Sequence, residues 1–246
     1  MQVINENSLK IIKREGKLGH NILFVHGTSF GGWCWEEYFA PYFHKKGYNT
    51  YSFTFERKIE NGKDKSNLKD YSLDFLYVLK KCAKPLTVIG HSVGCGIIMR
   101  NLNACIDDID SLVLLTPIPY YSMRKEYIFF IKNFIKYKSF GKMYFGDRIE
   151  KESMRYYCDL FSPPSYRISM GLLNGIKKTR DFSKIRTLVV ASLKDLGVSN
   201  RACIDVGRKF NAETIFFPNM CHAIMLDPEW KIVAETIHNF IQKEKS

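Results

Sequence analysis

The feature that most constrains this chain is a glycine-flanked serine, Gly90-His91-Ser92-Val93-Gly94, placed between an apolar run and a helical pattern. Leu86–Gly90 (LTVIG) is typical of a buried strand, and the residues from Val93 onward have helical character. A serine at so sharp a strand-to-helix turn has a strained backbone, and the flanking glycines let strand and helix approach closely. Backbone N–H groups at the helix start would stabilise negative charge. The pattern predicts that Ser92 is a nucleophile; the alternative is a glycine-rich turn with a serine helix cap.

Short β-rich runs alternate with helical periodicities along most of the chain. Their continuous apolar character fits strands buried on both faces of a parallel sheet. We therefore predict an α/β fold with a mostly parallel central sheet of about seven or eight strands and helices on both faces. The predicted strands are a pair within residues 2–15, then Asn21–His26, Thr50–Phe55, Leu86–Gly90, Leu112–Leu115, Thr187–Ala191 and Glu213–Phe217. The predicted helices are Trp33–Lys46, Leu68–Cys82, Ser92–Asn103, Ala202–Phe210 and Glu229–Lys243.

The alternation stops between Pro117 and about Lys184, where the sequence becomes helical, aromatic and basic. One interpretation of its aromatic stripe is the packing of an amphipathic helix, and another is a lid over an active site. We predict that residues 1–117 and 185–246 form the core and that residues 118–184 form a helical cap, within a single domain overall. The stripe consists of Tyr127, Phe130, Phe134 and Tyr137 at spacings of three and four.

A nucleophilic serine needs a general base, and His222 is the best candidate for this role. It follows the predicted strand Glu213–Phe217 and precedes the final helix. This position lies beyond the carboxyl end of a strand, where open α/β sheets bind ligands. The other histidines are predicted to lie in surface, connecting or structural positions, and His91 is too close to Ser92 in a tight turn: His20, His26, His44, His91 and His238.

The acid that orients the imidazole is predicted to be Asp195, just past the strand sequence TLVVAS. Asp227 is its main rival, but with Pro228 it fits the start of the last helix better. Asp181 precedes the late strand rather than following it.

A glycine-rich loop, His26–Trp35 (HGTSFGGWCW), follows the strand NILFV and offers backbone N–H groups to a reacting carbonyl. We predict that the N–H groups of Thr28 and Val93 form an oxyanion hole. The sequence leaves the substrate-binding residues undetermined, with four aromatic candidates: Phe30, Trp33, Tyr120 and Tyr121.

Together, HG after a strand, GHSVG, the late aspartate and the loop histidine resemble the α/β-hydrolase fold superfamily over nearly the whole chain. More narrowly, HGTSFGGWCW is similar to the HG-xxx-G-x-W-x-W opening of plant methylesterases, hydroxynitrile lyases and related bacterial hydrolases. The resemblance implies a cofactor-free acyl-transfer enzyme with residues 118–184 as its cap. Hydroxynitrile lyases commonly replace the glycine of HG, so Gly27 favours hydrolysis. Cys95 stands where relatives often have Gly or Ala, and it either fills space or supplies a reactive thiol.

Composition bears on other classes of protein, namely nucleic-acid-binding, metal-binding, membrane-spanning and secreted proteins. The net charge of +12 fits a solvated basic surface or an attraction to anionic substrate, lipid or nucleic acid, but no nucleic-acid motif accompanies it. Seven cysteines without CxxC or Cys/His metal spacing predict reduced thiols and no metal site. No apolar run approaches the roughly 20 residues that span a bilayer, and the N-terminus lacks a signal-peptide core. We therefore expect a cytoplasmic protein without stable membrane insertion, whose oligomeric state the sequence leaves open.

These features predict a serine hydrolase that cleaves a carboxylic ester of a small or medium-sized apolar substrate. It would work through Ser92, His222 and Asp195 and an acyl-enzyme, without metal or cofactor. An acyl-thioesterase or lactonase of the same fold is the alternative. A non-catalytic ligand-binding or membrane-docking protein on a hydrolase fold is the alternative from a different class.

Overall fold

The structure is a computed structural model that describes residues 1–7, 9–173, 175–176 and 181–243. The predicted cap segment, residues 118–184, includes positions 174 and 177–180, and the predicted core includes positions 8 and 244–246. Those parts of the two predicted segments lie outside the described residues.

The described residues form ten strands and ten α-helices. The strands are β1 (Gln2–Glu6), β2 (Leu9–Arg14), β3 (Asn21–Val25), β4 (Asn49–Thr54), β5 (Ile59–Glu60), β6 (Lys63–Asp64), β7 (Leu86–His91), β8 (Ser111–Leu115), β9 (Arg186–Ser192) and β10 (Glu213–Phe217). The helices are α1 (Trp33–Glu36), α2 (Phe39–Lys45), α3 (Leu68–Leu79), α4 (Val93–Cys105), α5 (Arg124–Tyr137), α6 (Phe140–Phe145), α7 (Lys151–Asp159), α8 (Tyr166–Leu172), α9 (Asn200–Phe210) and α10 (Trp230–Gln242).

Eight of the described strands form one sheet in the order β1-β2-β4-β3-β7-β8-β9-β10. Only the β1–β2 and β2–β4 pairs are antiparallel, and the pairs from β4 through β10 are parallel. The register places Val25 beside Gly90 and His91 beside Leu115. The carboxyl ends of β3, β7 and β8 therefore meet at one edge of the sheet, and the predicted fold class is confirmed.

Apolar side chains cover both faces of the sheet. Along β3, Ile22 and Phe24 pack with residues of α1, α2 and α10, whereas Leu23 and Val25 pack with residues of α3, α4 and α9. Successive residues of a strand point to opposite faces, so an uninterrupted apolar strand needs a helical layer on each side. This requirement explains why the continuous runs in the sequence predicted buried strands correctly.

The structure differs from the predicted elements at three places. The helix predicted over Trp33–Lys46 is two helices, because Tyr38 leaves helical backbone (φ −136°) where its ring stacks on Trp230, 5.0 Å away. The last helix begins at Trp230 with Glu229 in the N-cap position, so Asp227 is not its N-cap. The hairpin of β5 and β6 was not predicted, although its Asn61-Gly62 turn, with both residues at positive φ, is a strong hairpin signal.

Four described helices, α5 to α8, lie between β8 and β9, within the segment predicted to be a cap. The division into core and cap stays a prediction. Across the part of the chain that the structure describes, no helix is both long and apolar enough to cross a membrane.

Candidate active site

Ser92 lies in the turn between β7 and α4 with φ 52° and ψ −118°, a backbone conformation that a non-glycine residue rarely adopts. Its N–H donates to the carbonyl of Leu115 on the neighbouring strand, 3.0 Å away. The strain is held by the surrounding sheet and presents the Ser92 side chain at the edge where β3, β7 and β8 end. Such strain concentrates at functional sites.

The two glycines of the turn are required by close contacts. A Cβ atom on Gly90 would come within 2.5 Å of Cδ1 of Ile98 on α4. A Cβ atom on Gly94 would come within 2.5 Å of the carbonyl oxygens of Val25 and His26. Backbone cannot yield as a flexible side chain can, so Gly94 sets how closely α4 approaches the end of β3.

His222 and Asp195 form a buried pair next to this turn. Nδ1 of His222 lies 2.9 Å from Oδ1 and 2.8 Å from Oδ2 of Asp195. Oδ1 also accepts hydrogen bonds from the N–H groups of Gly197, at 2.7 Å, and Val198, at 2.9 Å. Because an ionised carboxylate only accepts hydrogen bonds, Nδ1 carries the proton and Nε2 is the basic nitrogen of the ring.

Three neighbours fix the position of His222. Nε2 of His91 donates to the backbone carbonyl of His222 at 3.0 Å. Burial and the neighbouring His222 hold the pKa of His91 well below its usual range, so its imidazole is neutral. The ring of Tyr144 stacks on the His222 ring at 5.5 Å between centres, and a Cβ atom on Gly197 would meet that ring at 2.9 Å.

Asp227, the rival acid, is fully buried but its carboxylate is bonded elsewhere. It accepts from Nη2 and Nε of Arg148 at 3.1 and 3.2 Å. It also accepts from the N–H groups of Cys221 and Glu229, both at 2.9 Å. Asp227 therefore braces the loop on either side of His222, whereas Asp195 holds the imidazole itself.

The turn before Thr28 is held by His26. Nδ1 of His26 donates to the carbonyl of Gly27 at 2.7 Å, and Nε2 accepts the N–H of Phe55 at 3.2 Å. Burial, reinforced by the charge of Arg57, lowers the pKa of His26 to about 3. The neutral ring can therefore donate on one side and accept on the other, which fixes the loop that carries Thr28.

A cavity of about 340 Å³ opens beside Ser92, and Thr28, Val93 and His222 line the same cavity. The structure thus brings together the predicted nucleophile, the predicted base and the two residues predicted to donate to an oxyanion. The remaining described lining residues are Ile118, Met123, Glu126, Tyr127, Phe130, Phe140, Tyr144, Pro164, Met170, Gly197 and Val198.

The four aromatic residues predicted to contact substrate are not among the described residues that line this cavity. Phe30 is buried with its ring against the edge of His91, and Trp33 stacks on an aromatic ring of α7. Tyr120 is buried in the core, and Tyr121 is 61% exposed. Phe30 and Trp33 thus anchor the glycine-rich loop to which they belong, through ring contacts with His91 and with α7.

Six of the described lining residues belong to α5, α6 and α8. Tyr127 and Phe130 belong to the aromatic stripe that the sequence revealed. Glu126 had no sequence signal, because its placement depends on a partner across the fold: Oε2 accepts the N–H of Ser199 at 2.9 Å and Oε1 accepts its hydroxyl at 2.6 Å.

Cys95 is buried against the sheet and does not face the cavity. Its Sγ lies 3.6 Å from the carbonyl of Leu115, and burial raises its pKa. A thiol in this environment is inert and fills the contact between α4 and β8. Within the described residues, no group of three or more His, Cys, Asp or Glu side chains is placed to hold a metal ion.

Comparison with known proteins agrees with this architecture. A family model described as "Alpha/beta hydrolase family" matches residues 22–194. No curated protein matches the sequence significantly.

Solved structures resemble the chain over nearly its full length at low identity. A bromoperoxidase from Bacillus anthracis is 18% identical, with a TM-score of 0.75 and 97% of each chain covered. An esterase from Exiguobacterium antarcticum is 16% identical, with a TM-score of 0.75 and 98% of each chain covered. The enol-lactonase from Burkholderia xenovorans LB400 is 14% identical, with a TM-score of 0.73, 98% of this chain and 100% of that chain covered. At these identities the likeness shows the fold alone.

Proposed function

The chain belongs to the α/β-hydrolase family, and we propose that it is a serine hydrolase that cleaves carboxylic esters of neutral, apolar substrates. One observation carries this proposal: Ser92, Thr28, Val93 and the Asp195-bonded His222 line a single, mostly apolar cavity. This is the arrangement that acyl transfer through a serine requires.

The first half of the reaction forms an acyl-enzyme. Nε2 of His222 takes the hydroxyl proton of Ser92 as Oγ attacks the ester carbonyl, and the carboxylate of Asp195 stabilises the imidazolium. The N–H groups of Thr28 and Val93 donate to the oxyanion of the tetrahedral intermediate. When this intermediate collapses, the C–O bond to the alcohol breaks and His222 gives its proton to the departing alkoxide.

The second half releases the acid. Nε2 of His222 takes a proton from water as the water oxygen attacks the acyl carbonyl, and the same N–H groups bind the new oxyanion. Collapse breaks the bond to Oγ, and the proton returns from His222 to Ser92. Asp195 remains ionised in both halves.

The cavity walls favour a neutral substrate. Met123, Tyr127 and Phe130 supply an apolar surface, and Glu126 is the one acidic side chain among the described lining residues, with no lysine or arginine beside it. An anionic group on the substrate would meet this carboxylate in a region of low dielectric, where like charges repel strongly. The many cations of the cap segment therefore do not serve an anionic part of the substrate inside the cavity.

Labelling and turnover test the nucleophile and its partners. We expect a burst of p-nitrophenol from p-nitrophenyl butyrate and modification of Ser92 alone by a fluorophosphonate. Ser92→Ala should abolish both, and Asp195→Asn should lower kcat by about 10⁴ with the fold intact. Asp227→Asn is the matched control for loss of a buried carboxylate and should retain far more activity. Labelling that persists in Ser92→Ala would contradict the assignment.

A matched pair of substrates tests the charge preference. A p-nitrophenyl ester with a methyl-terminated acyl chain should be hydrolysed at least about tenfold more efficiently than one ending in a carboxylate at the same chain length. Glu126→Gln, which preserves the shape and an acceptor for Ser199, should narrow this ratio. If the ratio is unchanged, Glu126 does not set the charge preference.

A lactone and an acyl-thioester in the same assay separate the alternatives, because both present the same electrophilic carbonyl to Ser92. The esterase and enol-lactonase among the structural neighbours support including both ester and lactone. A kcat/KM on either alternative above that on every ester would replace the ester proposal.

A further inference from the structure

The outer face of α5 carries three exposed isoleucines. Ile128, Ile131 and Ile135 are 57%, 50% and 64% exposed. At about 100° per residue their spacings of three and four place all three within about 60° of each other around the helix. Large aliphatic side chains lined up and open to solvent mark an interaction surface rather than ordinary scatter.

Cations border this isoleucine stripe. Lys125, Lys132 and Lys136 are exposed and form a row along one side of it, at helical spacings of seven and four. Arg124 at the start of the helix is exposed as well. Glu126 is the only acidic residue of α5, and it is buried on the inner face. The outer face therefore combines an apolar stripe with a positive edge and has no negative charge from its own helix.

The same helix also lines the catalytic cavity, through Glu126, Tyr127 and Phe130, and Met123 in its N-cap position lines it as well. Met170 of α8 is 60% exposed and also lines this cavity, so apolar surface continues from the outside of the molecule to its interior. One helix thus separates the isoleucine stripe from the proposed ester-binding space.

We propose that α5 docks this protein on an anionic lipid surface, lying parallel to the membrane with the isoleucine stripe in the headgroup boundary. Fourteen helical residues measure about 21 Å, less than the roughly 30 Å of a hydrocarbon core, so the helix lies on the bilayer and does not span it. Aliphatic residues beside a row of lysines are the pattern of in-plane membrane helices.

Charge complementarity selects this partner over a second copy of the chain. An antiparallel two-fold interface on this face would bring the lysine row of one copy against that of the other, and any self-association would bring together two chains that each carry a net charge of +12. An anionic lipid surface satisfies the lysines and buries the isoleucines together.

Vesicle binding of full-length Ser92→Ala tests the proposal independently of catalysis. We expect the protein to co-sediment with vesicles of phosphatidylcholine containing about one third phosphatidylglycerol, more weakly at high salt, and not with phosphatidylcholine alone. The pair Ile131→Ser and Ile135→Ser should weaken binding at least about tenfold, as should Lys125→Gln with Lys132→Gln and Lys136→Gln. None of these variants should change the hydrolysis of a soluble ester when Ser92 is present.

Matched controls are Ile59→Ser and Ile232→Ser, which remove isoleucines that are 50% and 49% exposed on other elements and should leave vesicle binding unchanged. Equal losses in the control and α5 variants would overturn the proposal, as would no binding to anionic vesicles. A stable dimer in light scattering that dissociates with the Ile131→Ser and Ile135→Ser pair would instead assign the stripe to self-association. Because every binding measurement uses Ser92→Ala, failure of ester hydrolysis would not affect the result.

Discussion

Arg148 holds the buried carboxylate of Asp227 through two hydrogen bonds, from Nη2 at 3.1 Å and from Nε at 3.2 Å. Arg148 lies between α6 and α7, and Asp227 lies five residues after His222. The carbonyl of Tyr144, on α6, also accepts the N–H of Ala223 at 3.0 Å. The proposed base therefore depends on contacts with the segment between β8 and β9 as well as on the sheet.

Arg148→Met should lower both stability and turnover. It leaves the Asp227 carboxylate buried without its cation, which costs about 3 kcal/mol of unfolding free energy, and it loosens the loop that carries His222. We expect kcat to fall about tenfold with little change in KM, measured beside urea unfolding curves. Lys142→Met, which breaks the exposed Lys142–Asp147 ion pair, should change both the unfolding free energy and kcat only slightly. An Arg148→Met enzyme with wild-type kcat would show that the loop keeps its position without this pair.

Gly197→Ala should impair catalysis more than stability. The added Cβ would lie 2.9 Å from the His222 ring and would push the imidazole from its position beside Asp195. We expect kcat to fall about 10²-fold, because small displacements of a catalytic group are costly. Gly207→Ala, whose Cβ would meet Oγ1 of Thr214 at 2.3 Å far from the cavity, is the steric control. That control should lower Tm while the folded enzyme keeps its kcat.

Acid should destabilise the protein partly through His26. The pKa of His26 is about 3 in the folded state and 6.5 in the unfolded state. Between these two pH values the unfolded state therefore binds a proton at His26 that the folded state does not bind. The contribution of neutral His26 to the unfolding free energy is fully present above pH 6.5 and is lost as the pH falls toward 3. At pH 5 this amounts to about 2 kcal/mol relative to pH 7.5.

His26→Gln removes this titration while keeping an acceptor for the N–H of Phe55. Its unfolding free energy should fall less between pH 7.5 and 5 than that of the wild type. Part of the pH dependence of the unfolding free energy should remain in this variant, because burial also lowers the pKa of His91. If the unfolding free energies of the wild type and the His26→Gln variant depend on pH equally, His26 does not contribute to the acid sensitivity.

Cys95→Ala tests whether this residue only fills space. We expect a loss of about 1 kcal/mol in unfolding free energy and unchanged ester hydrolysis, because the thiol packs between α4 and β8. The native wild type should also resist inactivation by iodoacetamide. Inactivation that maps to Cys95 would contradict its burial.

The features that the sequence predicted correctly are set by residues that lie close together in the chain. The strands were predictable because burial on both faces leaves uninterrupted apolar runs, and the strand-to-helix turn at Ser92 was predictable because it needs glycines at fixed positions. The choice of Asp195 as the acid, which stays a prediction, rested on chain order, since Asp195 lies three residues after β9, which pairs with the strand that precedes His222.

What the sequence could not predict depends on distant contacts. The break after α1 reflects the stacking of Tyr38 on Trp230, which no local pattern records. Asp227 was expected at a helix N-terminus because it precedes Pro228, and its actual partner, Arg148, lies in a distant part of the chain that no local pattern reveals. The substrate-contact candidates are not among the described lining residues, because the cavity is lined by residues from distant parts of the chain, including α5, α6 and α8.

The contact of Gly94 with the carbonyl oxygens of Val25 and His26 has a consequence for folding. The strained serine turn and the glycine-rich loop meet through this close approach of backbone as well as through side chains, so neither can take its final shape before β3, β7 and α4 have joined. A refolding chain should therefore gain reactivity toward fluorophosphonates in the same kinetic step that completes the central sheet. Folding intermediates that have helices but an incomplete central sheet would contain every proposed catalytic residue and would still not react with fluorophosphonates.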